Sequence, residues 1–184
     1  MEYVIGICVV LAVLAALWII LTLTWLLRGR KRVDAAWGQL EVQLLHRHDL
    51  TPNLVETVRG YASHERATLE RVTRARTAAV EARRPEQRAE AEAGLSIALR
   101  GLLAVAEAYP DLQARTSFVS LQDELARTED KAADARQRYN DAVLGFNNAV
   151  QSFPSMIVAG LAEFRPRKYF RAGDDERAVP QVRL

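Results

Sequence analysis

The sequence predicts an all-α protein, with one N-terminal transmembrane helix followed by an elongated antiparallel bundle of three or four long helices. Three observations carry this prediction. Residues 3–27 form a run of 25 residues without a charge. Beyond it, apolar residues recur at spacings of three and four over long stretches, the period of a helix face. Six Pro and nine Gly in 184 residues, with Ala, Leu, Glu and Arg abundant, favour helix over sheet.

The apolar run comes first. About 20 such residues at 1.5 Å rise cross a hydrocarbon core of roughly 30 Å. Without water to satisfy its amides, a spanning backbone must be helical. Trp18 and Trp25 lie in its second half, and Trp25 suits an interfacial belt. A cleaved signal peptide fits poorly, because no positive segment precedes the run and it exceeds the usual apolar length of about 7–15 residues. Arg28, Arg30, Lys31 and Arg32 follow at once, against only the α-amino group and Glu2 on the other side. The positive-inside rule then predicts a single-pass cell-membrane protein with its N-terminus outside and its C-terminal domain cytoplasmic. The four cations also suit the anionic headgroups of a lipid bilayer. Cys8 stands alone within the run, so it forms neither an internal disulfide nor a thiolate metal site, and it reads as apolar filler.

About 157 residues follow, enough for one domain with its own core. Their charge is blocked: residues 28–84 carry 12 Lys/Arg against 7 Asp/Glu, residues 85–164 carry 7 against 12, and residues 165–184 carry 6 against 3. Opposite signs favour packing of the first block on the second, although surface pairs contribute only about 0–1 kcal/mol each. No block is basic enough for a nucleic-acid binder, so no nucleic acid is expected as a partner.

Residues 33–83 carry the first stripe: Ala36, Trp37, Leu40 and Leu44, then Val55, Val58, Ala62, Leu69, Val72 and Ala79. Pro52 lies between its halves, lacks an N–H donor and crowds the preceding turn, so a kink or a restart is expected there. Asp49 or Thr51 would cap the new helix, with Pro52 in its first turn. Arg83-Arg84-Pro85 closes the segment, since the residue before proline resists helical angles. The next helix spans 86–109, with Ala91, Leu95, Ala98, Leu102, Val105 and Tyr109 facing the core, and Tyr109-Pro110-Asp111 is a turn. The last long helix spans 117–152. Its seam of Phe118, Leu121, Leu125, Thr128, Ala132, Ala135, Tyr139, Ala142, Phe146, Ala149 and Phe153 alternates threes and fours as a heptad repeat does. Short loops between long helices imply antiparallel neighbours. Only Gly29 weakens helicity between anchor and bundle, so one near-continuous helix from the membrane to Leu50 is expected.

The domains read as a transmembrane anchor at 1–27 and a helical-bundle domain at 28–153. A short apolar helix with a basic, aromatic tail follows at 154–171, then a disordered C-terminus at 172–184. In the tail Met156, Ile157, Gly160, Leu161 and Phe164 form the apolar part. It either packs on the bundle or docks on headgroups or another subunit.

Candidate chemistry is sparse. His46 and His48 point about 200° apart on a helix. The i,i+4 ligand spacing of H-E-x-x-H is absent, and neither metal nor cofactor is expected. No nucleophile elbow, phosphate-binding Gly-rich loop or Cys/His pair is present, and the carboxylates show no pocket that would drive their acidities apart. The expectation is a non-enzyme. Candidate interaction residues are Asp49, Asn53 and Glu56 on one stripe, Asn140 and Asn147 (with Gln151) on the last helix, and Tyr169 and Phe170 in the tail. The long seam of the last helix points to a homo-oligomer.

Specific strings add a resemblance. Val33-Asp34-Ala35-Ala36-Trp37 and Arg47-His48-Asp49-Leu50-Thr51-Pro52-Asn53-Leu54-Val55-Glu56-Thr57-Val58 resemble the opening of the LemA family. Ala106-Glu107-Ala108-Tyr109-Pro110-Asp111-Leu112 resembles its helix-turn segment. Tyr139-Asn140-Asp141-Ala142-Val143, Phe146-Asn147 and Ser152-Phe153-Pro154-Ser155 resemble its last helix, and Val158-Ala159-Gly160-Leu161 and Lys168-Tyr169-Phe170 its tail. The likeness covers roughly residues 28–171. It departs at Thr51, where the family commonly has an aliphatic residue, and it leaves residues 171–184 unexplained. It implies a bacterial single-pass membrane protein with a helical-bundle domain and no established enzymatic activity. Genes of the family often lie near those of membrane proteases of the HtpX type. That association makes such a protease a second partner reading, with the chain as its accessory or adaptor in envelope quality control.

Overall fold

In a computed structural model that describes residues 1–171, the chain is helical and holds no strand among those residues. The elements are α1 (Glu2–Arg59), α2 (Arg66–Glu81), α3 (Pro85–Ala106), α4 (Pro110–Gln113), α5 (Thr116–Gln151) and α6 (Ser155–Leu161). The stretch expected to be disordered, 172–184, lies outside the described residues. Two compact units divide the chain. One comprises Met1–Gly38 and Arg138–Arg167, the other Gln39–Gln137 and the chain from Lys168 onward.

In the first unit, α1 leaves its apolar residues exposed on every side up to Leu21. Among the described residues it is the one helix long and apolar enough to cross a membrane. From Thr22 onward protein begins to cover it, and Leu26 and Val33 are buried. The Trp37 ring meets Tyr139 edge-on at 5.3 Å between centroids. Eight residues back along α1, a Cβ on Gly29 would stand 3.2 Å from Phe146, seven residues on along α5. The missing side chain at Gly29 thus admits the phenylalanine ring. These two contacts also show that α1 and α5 run in opposite directions here.

The α5 seam is buried or half-buried at ten of its eleven expected positions. Phe153 is the exception, at 79 % exposure, because α5 ends at Gln151 and the seam ends with it. The Ser155 hydroxyl reaches the carbonyls of Ala149 and Ser152. In α6 the buried residues are Val158 and Ala159, whereas Met156, Ile157 and Leu161, expected on the apolar face, stand exposed. After α6, Glu163 N–H bonds the carbonyl of Gly160 and Phe164 N–H that of Ala159. That is a Schellman closure, which requires a left-handed residue between. Glu163 supplies it at φ 54°, a conformation disfavoured for a residue with a Cβ. The closure aims Phe164 edge-on at Phe146, 6.3 Å away.

In the second unit apolar side chains of all five of its described helical segments gather in a core. Leu54, Val55 and Val58 of α1, Leu69, Val72 and Ala79 of α2, Leu95, Leu99 and Leu102 of α3, Leu112 of α4, and Phe118 and Leu125 of α5 are all buried in it. Two expectations for α1 change here. No restart occurs at Pro52, since α1 runs through it to Arg59. Proline deprives the His48 carbonyl of its donor, and Arg76 Nε of α2 replaces that donor at 2.7 Å. Thr51 does not cap a new helix; its hydroxyl turns back to the Arg47 carbonyl at 2.8 Å. The interruption falls instead at 60–65, where Tyr61 and Ala62 N–H both bond the Val58 carbonyl and Ala62 is fully buried. Arg84 is extended before Pro85, as expected of a residue preceding proline. The turn expected at Tyr109-Pro110-Asp111 is the entry to a one-turn helix, α4, that the stripes did not announce.

Two expected outcomes follow. Arg76→Ala should cost about 2 kcal/mol in denaturant unfolding, as for a hydrogen bond from a charged donor. In a Pro52→Ala background, where the position-52 amide resupplies the bond, the cost should drop to about half or less; equal costs in both backgrounds would refute the replacement. Glu163→Gly should raise stability by about 1 kcal/mol by relieving the left-handed residue, and an unchanged or lower midpoint would count against that strain.

Candidate functional site

Most sequestered polar chemistry in the second unit gathers between α1 and α3. On α1 the core seam passes through Leu40, Leu44, Arg47 with His48, Thr51 and Leu54. On α3 it passes through Arg88, Glu92, Leu95 and Leu99. The polar members keep the helical phase of the leucines, so they enter the same interface. Arg47 and Glu92 are each 4 % exposed and His48 is 1 % exposed.

The geometry centres on the Glu92 carboxylate. His48 Nε2 stands 2.6 Å from one oxygen, a separation that requires a proton between the two atoms. Arg47 Nη1 lies 3.4 Å from the other oxygen, while Nη2 donates to Ser96 Oγ at 2.7 Å and lies 3.0 Å from Glu129. One turn away, Arg88 Nη1 pairs with Glu41 at 2.8 Å. Arg47 Nε, Arg88 Nε and His48 Nδ1 are buried without a hydrogen-bond partner. A carboxylate so enclosed meets no solute. Its chemical role is to hold α1 and α3 in one register, since its desolvation is offset only while both donors stay in place.

The remaining histidines are apart from this cluster. His46 is exposed and pairs with Glu124 at 3.2 Å, and His64 is exposed. Among the described residues no three His, Cys, Asp or Glu side chains come together as metal ligands.

The interaction candidates are placed as follows. Asp49, Asn53 and Glu56 all face solvent on α1, with Arg59 pairing to Glu56 and the Thr57 hydroxyl bonding the Asn53 carbonyl. Asn147 belongs to the first unit and is buried. Its amide nitrogen donates to the Arg167 carbonyl at 2.8 Å and its oxygen accepts from Arg167 N–H at 2.7 Å. That two-way bond mimics a strand pairing and fixes the tail, which Arg167 Nη2 to Asp34 Oδ1 at 2.9 Å reinforces. Asn140 is half-buried in the same unit and Gln151 is exposed. In the second unit Phe170 is buried, Lys168 reaches Glu86 at 3.6 Å, and Arg171 stacks 4.8 Å from the half-buried Tyr169 ring. Arg28, Arg30, Lys31 and Arg32 are all exposed. Sequence reasoning missed Arg47, Glu92 and Arg88. The signal was available, since charged residues stood in phase with the leucines of two helices.

The chain is thus an all-helical protein, among its described residues, with one candidate membrane-spanning helix at its N-terminal end and its buried charges committed to helix pairing. The chain belongs to the LemA family, whose match covers residues 36–184. That match includes the last 14 residues, 171–184, which the resemblance of individual strings leaves unexplained. Two MamQ magnetosome proteins of Paramagnetospirillum magneticum are 32 % identical over 95 residues, half of this chain and 35 % of theirs. MamQ of Magnetospirillum gryphiswaldense is 30 % identical over the same length. The chain thus spans about a third of the length of these relatives.

Glu92→Ala should cost about 3 kcal/mol, because it leaves buried His48 Nε2 without its partner and takes from Arg47 Nη1 its carboxylate, while Arg47 Nη2 keeps Ser96 and Glu129. Glu124→Ala, which removes only the exposed partner of His46, should cost under about 1 kcal/mol. Chemical denaturation of the detergent-solubilised chain measures both, and similar costs would show that the buried carboxylate holds no special place.

Proposed function

We propose that this chain is a membrane-anchored, non-catalytic interaction or scaffold protein. Its single span lies at the N-terminus, and its helical domain is an elongated antiparallel bundle on the cytoplasmic side that self-assembles through exposed helix faces. The observation that carries the reading is how the polar residues are used. Those sequestered from water (Arg47, His48, Glu92, Asn147) are consumed in pairing helices or fixing the tail. The stripe of Asp49, Asn53 and Glu56 is left facing solvent. A catalytic reading needs reactive groups that a substrate can reach, and the helix-pairing groups are closed off. The exposed apolar α1 segment followed by Arg28, Arg30, Lys31 and Arg32 supports the anchor and its orientation.

Two measurements test it. In a Cys8→Ser background, a cysteine at Asp49 should react with an impermeant maleimide only after cells are permeabilised; labelling of intact cells would reverse the orientation. Light scattering of the solubilised full chain should give a multiple of the 20.6 kDa monomer. Replacing Asp49, Asn53 and Glu56 with Lys should lower that multiple without moving the unfolding midpoint. A strict monomer would remove the self-assembly claim.

A further inference from the structure

Four large apolar side chains that the span does not account for stand close together. Phe153, Met156, Ile157 and Leu161 stand exposed within nine residues of the elbow (the turn 152–154 after α5) and α6, Leu161 at 82 %. The helix that carries three of them is closed by its own Schellman turn and packed through Val158 and Ala159, so the exposed face belongs to a fixed element.

The contacts inside the first unit fix its level along α1. Trp37 pairs with Tyr139 and Gly29 with Phe146, so positions on the two helices descend together. Continuing that pairing at equal rise per residue sets Gln151, the last residue of α5, level with Thr24, and Phe153 follows just beyond it. Burial agrees, since protein covers α1 from Thr22 onward and encloses Leu26. After α6 the chain returns along α1, with Phe164 meeting Phe146 and Arg167 meeting Asp34. A cleft of about 620 Å³ joins Leu23, Leu27 and Arg30 to Phe146, Phe164 and Arg167. Hence α6 lies level with positions 22–29. This band of about 10 Å contains Trp25, the last apolar residues and the first cation, Arg28.

We propose that the elbow and α6 form a second membrane contact. Phe153, Met156, Ile157 and Leu161 sit in the headgroup–acyl boundary of the leaflet on the C-terminal side of the span. An apolar face buried about 5–10 Å into that boundary, flanked by cations, is how interfacial helices bind. The cations are present: Arg28, Arg30, Lys31 and Arg32 on α1, and Arg165 and Arg167 after α6, all exposed. They suit an anionic leaflet. The occupant of this face is lipid because the face continues the apolar surface of the span at the same level. This inference rests on the anchored reading.

The test uses the full chain with Cys8→Ser and single cysteines at Ile157 or Leu161, labelled with bimane. The labelled chain is reconstituted in phosphatidylethanolamine–phosphatidylglycerol vesicles containing brominated phosphatidylcholine. Cysteines at Leu17, in the apolar run, and at Val42, beyond the cations, serve as references. Emission at 157 and 161 should fall at least halfway from the Val42 value to the Leu17 value. Quenching at Leu17 alone, with 157 and 161 matching Val42, would leave the anchor standing and overturn the lipid contact. No quenching at Leu17 would overturn the anchored reading and this inference with it. Blue-shifted but unquenched emission at 157 and 161 that depends on protein density would assign the face to a second copy and also overturn it. A label at Met156 repeats the measurement should either site perturb folding.

Discussion

The second unit turns on one carboxylate. Glu92 lies in the seam of α3 among leucines, and burying it alone would cost several kcal/mol. It becomes tolerable only because α1 presents Arg47 and His48 at the same level, one to each oxygen. Apolar packing accepts many offsets between two helices, whereas this arrangement accepts one. A slip by a turn would set both donors against Leu95 in one direction or Arg88 in the other, and part them from the carboxylate. The leucine contacts supply the driving force, and the ionic contact selects which of the available packings the chain adopts.

Much of the helical plan was legible because burial imposes its period on the sequence. The α5 seam was readable from Phe118 to Ala149, and its one failure, Phe153, lies where the helix has already ended. The restart expected at Pro52 does not occur, because the loss of a backbone donor can be made good from elsewhere in the fold. The carbonyl it frees is satisfied from α2 by Arg76, a tertiary contact with no local trace. The interruption at 60–65 escaped notice for the opposite reason. Ala62 is buried in the core although it is in a turn, so the apolar spacing continues where the helix does not.

The polar features were legible as residue types but not as roles. His46 and His48 look alike in sequence, yet one faces water beside Glu124 and the other is buried in hydrogen-bond contact with Glu92. The difference is phase: position 48 falls on the leucine stripe and position 46 off it. Asn147 looked like a candidate for partner recognition, and its amide is spent on the Arg167 peptide. An asparagine that holds backbone and one that holds a partner are written identically. Only the return path of the chain, which no periodicity encodes, separates them.

The enclosure of Glu92 also shapes how such a sequence can change. An apolar set at positions 47, 48 and 92 could pack as well or better. Reaching it one substitution at a time, however, means passing through chains in which a charge sits buried without its counterpart. Each intermediate would fold less well than either end. The cluster is therefore entrenched, kept in place less by what it contributes than by the depth of the valley around it.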